Sequence, residues 1–117
     1  MSKRDETLQK AFSLHRSGNF AEAAKLYRKI IRQDPRQANA LHSLGIIESA
    51  TGNRAEAAAL MARSLALQPG NIGFMQNYAT VLCQLGRFET ASAVCLKGLE
   101  LDSGNPYLLY VAAAALL

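Results

Sequence analysis

The stretch of sequence that decides the fold covers residues 38–71 and reads ANALHSLGIIESATGNRAEAAALMARSLALQPGN. Its first part carries apolar or small residues at helical spacing, as at Leu41 and Leu44, and this pattern breaks at Gly52. A second apolar pattern with the same spacing follows and ends at Pro69, because proline cannot continue a helix. The block therefore predicts two amphipathic helices joined by a short turn at the glycine.

This block belongs to a tandem repeat with a period of 34 residues, since glycine recurs at positions 18, 52 and 86. Two further columns keep a small residue in every repeat; they hold Ala11, Gly45 and Ala79 before the glycines and Ala23, Ala57 and Ala91 after them. A fixed period of about 20–50 residues is typical of solenoids. Because a large side chain would force two packed helices apart, the small columns predict where the helices of each pair cross.

The repeats predict an all-α chain that forms a single domain over residues 1–117, with repeats at about 4–37, 38–71 and 72–105 and a partial repeat at 106–117. The expected helices cover residues 5–17, 21–33, 38–51, 55–67, 72–85, 89–101 and 106–117. Strands are not expected, because no segment alternates polar and apolar residues for long and no Asn-Gly or Asp-Gly turn occurs.

Composition narrows the class of protein further. Half of the residues are hydrophobic and the net charge is +4, with the basic excess confined to residues 1–37. The charged start of the chain argues against a signal peptide, and the apolar run at residues 108–117 is too short to cross a bilayer. The two cysteines have no motif spacing. We therefore expect a soluble cytoplasmic protein with reduced thiols, no membrane contact and no cofactor.

At this level of detail the chain resembles the tetratricopeptide repeat family, whose pattern runs W-x2-L-G-x2-Y, then A-x3-F, then P. The second block matches it with Leu41-x2-Leu44-Gly45-x2-Glu48, Ala57-x3-Met61 and Pro69. The resemblance extends over three repeats and the first helix of a fourth. It implies a right-handed α-solenoid of antiparallel helix hairpins, in which the first helices line a concave groove.

By the same resemblance the protein is a non-catalytic protein–protein interaction module whose groove holds a peptide or helical segment of a partner protein. The groove positions that it implies lie on the first helices of the repeats, and they are Leu8, Phe12, His15, Arg16, Asn39, His42, Ile46, Ser49, Gln76, Asn77, Thr80 and Gln84. Few of these residues are charged. Phe12 and Ile46 are the two large apolar side chains that we expect to be exposed there.

Two subtypes of the family give more specific expectations. One clamps the acidic C-terminal tails of chaperones with lysine and asparagine, but this chain has Leu8 and Phe12 at the matching sites, which argues against that ligand. The other is the repeat arm of O-linked N-acetylglucosamine transferases, which carries a ladder of asparagines. Asn77 matches this ladder, whereas Ser43 and Gln9 do not.

A basic face at Lys25, Arg28, Lys29 and Arg32 raises the alternative of nucleic-acid binding. Single-stranded nucleic acid is bound by basic grooves that also carry aromatic stacking platforms. Here Tyr27 falls on the opposite, core-facing stripe of the same helix, so a solvated face is the better interpretation. We expect no nucleic-acid partner.

Metal binding and catalysis are also not expected. His15, His42 and Cys83 match no spacing of metal ligands, and zinc requires several convergent ligands. No nucleophile–base set and no phosphate-binding loop can be identified. Glu48 occupies a usually apolar position, where we expect it to be partly exposed or paired with Arg16 or Arg87.

The segment over residues 106–117 predicts a helix without a single charged residue. Terminal helices of solenoids usually have a polar outer face, so this one needs an explanation. One hypothesis is that the chain is a fragment cut midway through a fourth repeat, namely the N-terminal arm of a longer enzyme similar to a glycosyltransferase or sulfotransferase, to which the arm recruits substrate. The other is that this end docks onto a partner or onto a second copy of the chain, which would form a homo-oligomer through this helix.

Overall fold

The computed structural model describes residues 2–117, and within them all regular structure is helical. The helices of this range are α1 (Lys3–Arg16), α2 (Phe20–Gln33), α3 (Ala38–Ala50), α4 (Arg54–Leu67), α5 (Ile72–Gln84), α6 (Phe88–Leu101) and α7 (Pro106–Leu116). Every boundary lies within two residues of the one expected from the sequence. The all-α prediction is therefore confirmed.

The repeated glycine ends the first helix of each hairpin. Gly52 has a φ of 95°, a left-handed conformation that side chains with a Cβ rarely adopt. Its N–H donates to the carbonyl oxygen of Ser49 at 3.2 Å, and the N–H of Asn53 donates to that of Glu48 at 2.8 Å. These two bonds satisfy the last carbonyls of α3 in a Schellman motif, and the equivalent pairs recur at the other two glycines. The turns predicted at these glycines are confirmed.

The helices stack in chain order. Each packs mainly on the next, as α1 on α2 and α3 on α4, while α3 also touches α5 and α5 touches α7. From α3 onward the first helices of successive repeats therefore lie side by side, as in a solenoid whose units contact only their neighbours. The molecule is accordingly elongated, with extents of 44 × 27 × 22 Å.

The small columns lie where the two helices of a hairpin cross. A Cβ added to Gly45 would stand 3.0 Å from Cγ of Met61 and 3.3 Å from the carbonyl oxygen of Ala57 on α4. The equivalent Ala11 and Ala79 are fully buried. The close approach lets large side chains such as Tyr27 reach complete burial above and below the crossing point.

Glu48 corrects one expectation, because its partner is neither Arg16 nor Arg87. The carboxylate is buried between α2 and α3, where Nη2 of Arg28 donates to Oε1 at 2.7 Å and Nδ2 of Asn53 donates to Oε2 at 3.0 Å. A buried carboxylate is tolerated only when its oxygens are satisfied, and these two donors meet that need. The ion pair ties the second helix of the first repeat to the first helix of the second.

Candidate functional site

The candidate site is a groove cavity of about 220 Å³ between α3 and α5. Its lining comes from both helices and from α4, and it consists of Ile46, Ser49, Ala50, Met61, Asn77, Thr80, Val81 and Gln84. Ile46, Ser49, Asn77, Thr80 and Gln84 were predicted as groove residues from the sequence. None of the eight lining side chains is ionisable.

The floor of the groove cavity is apolar and its rim is polar. Met61 and Val81 form the floor and are themselves buried. Sequence reasoning missed both as site residues, because it assigned Met61 to helix packing and did not consider Val81. The place of Met61 beside the small Gly45 is a signal that could have found it. The rim side chains are held by hydrogen bonds. Gln84 Oε1 accepts from Nε of Arg54 at 3.2 Å.

Thr80 connects the cavity rim to the last helix. Its hydroxyl donates to the carbonyl oxygen of Gln76 at 2.8 Å and shares a second hydrogen bond with the hydroxyl of Tyr107 on α7. Gln76 is also fixed, since its Nε2 donates to Oδ1 of Asn105 at 3.3 Å. Gln76 and Thr80, two of the predicted groove residues of the third repeat, are therefore tied by hydrogen bonds to the start of α7.

His42 differs from the exposed groove residue that the sequence suggested, because it is only 6% exposed. Its ring stacks on Phe74 with centroids 4.2 Å apart, and Nδ2 of Asn77 donates to its Nε2 at 2.9 Å. That bond places the ring proton on Nδ1, which is buried and has no partner within residues 2–117. Burial lowers the pKa of His42 to about 4, so the ring is neutral at physiological pH. The imidazole thus serves to orient Asn77 at the cavity rim.

The predicted groove residues of the first repeat lie apart from the cavity. Phe12 is half-buried rather than fully exposed, and its ring packs on Tyr27 with a centroid distance of 5.9 Å. His15 contacts the same tyrosine and Phe20, and burial lowers its pKa. Leu8 packs against the hydrophobic core cluster that contains Tyr27. Arg16 is exposed, and so is Asn39 of the second repeat, which also lies outside the cavity lining.

A larger cavity of about 290 Å³ lies among α4, α5 and α6 and is lined mainly by aliphatic side chains, with Tyr78 and Lys97 at its edge. It brings together fewer polar groups than the groove cavity, so it offers less to fix the orientation of a ligand. For this reason the groove cavity is the stronger candidate for a specific binding site.

Within residues 2–117, no three His, Cys, Asp or Glu side chains converge closely enough to hold a metal ion. Burial raises the pKa of the Cys83 and Cys95 thiols, which disfavours the reactive thiolate form. None of the described helices has the length and apolar character needed to cross a bilayer.

Comparison with solved structures finds close similarity in fold. A Thermobaculum terrenum O-GlcNAc transferase is 26% identical with a TM-score of 0.81, and the alignment covers 99% of this chain and 23% of that one. The Yersinia enterocolitica type III secretion chaperone SycD, in complex with a peptide of the translocator YopD, is 19% identical with a TM-score of 0.84, covering 95% and 90%. The second TPR domain of human RPAP3, in complex with an HSP70 peptide, is 15% identical with a TM-score of 0.85, covering 95% and 92%.

These relatives are peptide-binding domains in two cases and part of a much longer enzyme in the other, of which the chain spans 23%. No similar sequence was found among the curated proteins. Two family profiles described as tetratricopeptide repeat match the sequence, one over residues 8–72 and the other over residues 48–115. The chain therefore belongs to the tetratricopeptide repeat family.

Proposed function

We propose that this protein is a non-catalytic, cytoplasmic binding module whose concave groove holds an extended segment of a partner protein. The observation that carries the proposal is the groove cavity, where an apolar floor and a polar rim from two successive repeats converge. One apolar side chain of the partner segment enters the cavity and contacts Met61 and Val81. Peptide amides of the segment then bond to Asn77 and Ser49 at the rim.

The size of the cavity favours a peptide over a small molecule. Pockets for drug-sized ligands measure about 300–1,000 Å³, and this cavity of about 220 Å³ is smaller. It is also open along the groove, so the rest of an extended chain can continue past it on either side. A single aliphatic or methionine side chain therefore suits the space better than a whole metabolite.

The charge of the helices around the cavity indicates an uncharged partner segment at this position. α3, α5 and α7 contain no lysine or arginine, and their single carboxylate, Glu48, is paired with Arg28 on the side facing α2. Asp, Glu, Lys or Arg at the buried position of the segment would lose its hydration without gaining a partner. An acidic chaperone tail is accordingly disfavoured, and binding should depend little on salt.

The test is selection of peptides from a random dodecapeptide phage library on the immobilised chain, followed by fluorescence anisotropy with the selected peptides. We expect Ile46→Asp to weaken binding about tenfold or more, because it places a charge in the cavity. Leu96→Asp is the matched control, since Leu96 is an exposed apolar residue on α6 outside the cavity. Helicity measured by circular dichroism checks that both variants fold. Equal affinity of the two variants would place the binding site elsewhere.

A second candidate function is supported by the similarity to the O-GlcNAc transferase, which extends over 99% of this chain. In this case the groove recruits protein substrates for a catalytic domain that lies outside these residues. Asn77 is the residue at issue, because it matches one position of the asparagine ladder and lines the cavity. Reading the gene beyond codon 117 separates the two candidates: a transferase domain in the same frame supports the second, and its absence supports the first.

A further inference from the structure

The second helices of the repeats carry a row of cations. A shift of 34 residues relates Lys29 on α2, Arg63 on α4 and Lys97 on α6, and all three residues are exposed. Within residues 4–105 this is the only position of the repeat that is charged in all three repeats. None of the three forms an ion pair within residues 2–117, and this includes Lys97 with Glu100, one turn away. The cation row is therefore unneutralised.

Two apolar cavities lie beside the cation row. One, of about 390 Å³, lies between α3, α4 and the connection from α2, and Arg36 and Arg63 line it together with apolar side chains such as Leu41. The other is the cavity of about 290 Å³ among α4, α5 and α6, with Lys97 at its edge. Ala66 of α4 lines both cavities, so they adjoin across this helix.

We propose that the cation row and the two cavities beside it form a surface that docks an acidic segment of a partner protein. The cavities are suited to apolar side chains, because these gain free energy when they leave water. The cations are suited to carboxylates, which the planar fork of arginine can bind through two N–H donors at once. Only a segment that carries both kinds of side chain complements the whole surface.

The arrangement also predicts the spacing within that segment. The two cavities are separated by α4, and a helix with its side chains is about 10–12 Å wide. An extended chain covers this distance in about three residues. The segment therefore carries two large apolar residues about three positions apart, with Asp or Glu beside them. It crosses α4 at Ala66, where the side chain is small.

Other ligands fit this surface less well. Single-stranded nucleic acid stacks its bases on aromatic side chains, and Tyr78 is the only aromatic residue that lines either cavity. A metabolite is too small to contact cations on three successive repeats. The proposal is also independent of the groove, because neither cavity shares a lining residue with the groove cavity.

The probe is a labelled synthetic peptide of glutamates with two leucines at this spacing, titrated with the full chain and followed by fluorescence anisotropy. We expect saturable binding that weakens as salt rises, because exposed charges are screened. Arg63→Glu should reduce the affinity about tenfold or more, since it reverses the charge beside the larger cavity. Arg87→Glu is the matched control and should change the affinity by less than about twofold, because the exposed Arg87 precedes α6 and lies outside both cavities.

Arg63 and Arg87 are exposed and form no ion pair within residues 2–117, so both variants should fold, and thermal unfolding checks this. A second peptide with serine in place of both leucines keeps the charge and should bind about fivefold more weakly or worse. Ile46→Asp should leave the affinity for the first peptide unchanged, which separates this test from the one for the groove.

Absence of binding up to about 1 mM peptide, or equal loss of affinity in both arginine variants, overturns the proposal. Equal binding of the serine peptide also overturns it, because the cavities would then contribute nothing. Single-stranded DNA of the same charge is the last comparison. If it binds more tightly than the peptide and loses this affinity in Arg63→Glu, the surface is a nucleic-acid site and the proposal is wrong.

Discussion

Mild acid should destabilise this protein through one buried imidazole. His42 has a pKa of about 4 in the folded chain and an ordinary value of 6.5 when unfolded. Between these values the unfolded chain binds a proton that the folded chain does not, so the free energy of unfolding falls as the pH falls through this window. The contribution is fully present above about pH 6.5 and is lost progressively towards pH 4.

The magnitude follows from the separation of the two values. Each pKa unit corresponds to about 1.4 kcal/mol, so the complete loss is about 3 kcal/mol. At pH 5 the unfolded imidazole is almost fully protonated and the folded one is not, which gives a loss of about 2 kcal/mol relative to neutral pH. The physical cause is burial of the ring between Phe74 and Asn77, where a cationic Nδ1–H and Nε2–H would need two acceptors.

Urea unfolding followed by circular dichroism at about pH 7.5 and about pH 5 measures the loss. The reference is His42→Gln, which keeps a polar side chain but removes the titration. We expect the wild type to lose about 2 kcal/mol more than this variant between the two pH values. His15→Gln isolates the smaller contribution of the other histidine, whose pKa burial also lowers. Equal losses in the wild type and in His42→Gln would refute the reasoning.

Two further substitutions test the packing. Gly98→Ala should destabilise the chain by about 1–3 kcal/mol despite the better helix propensity of alanine, because its Cβ would overlap Leu108; unchanged urea unfolding would contradict this. Arg28→Ala should cost about 1–3 kcal/mol, because the buried Glu48 carboxylate then keeps only one donor. Lys29→Ala is its exposed control on α2, and equal midpoints for these two variants would argue that the ion pair contributes nothing.

The helix boundaries could be predicted from the sequence because they depend on local chemistry. A glycine in a left-handed conformation ends the first helix of each hairpin wherever it stands, so Gly52 and its two equivalents mark the turns. The small columns are equally readable, because a helix crossing needs a small residue whatever surrounds it. The glycines and the small residues recur in every repeat, so they can be recognised from the period of 34 residues in the sequence.

The partner of Glu48 could not be predicted in this way. The sequence suggested Arg16 or Arg87, which lie on the neighbouring repeats. The structure instead pairs Glu48 with Arg28 on the adjacent helix α2. The burial of His42 escaped the sequence for a similar reason, since it depends on Phe74 of the next repeat reaching back over the ring. Contacts between side chains of different columns depend on reach and rotamer, and the repeat pattern does not contain that information.

The difference between residues that recur in every repeat and residues that vary also explains where the groove cavity lies. Positions 12, 46, 80 and 114 form one column on the first helices, and along it the side chain shrinks from phenylalanine to isoleucine, threonine and alanine. Phe12 fills its own space by packing on Tyr27, whereas Ile46 and Thr80 leave an opening above Met61. Because the backbone repeats while this column does not, the cavity is a property of the sequence differences between repeats. Under the proposed function, recognition in this chain is therefore encoded in the columns that vary, and stability in those that stay small or apolar.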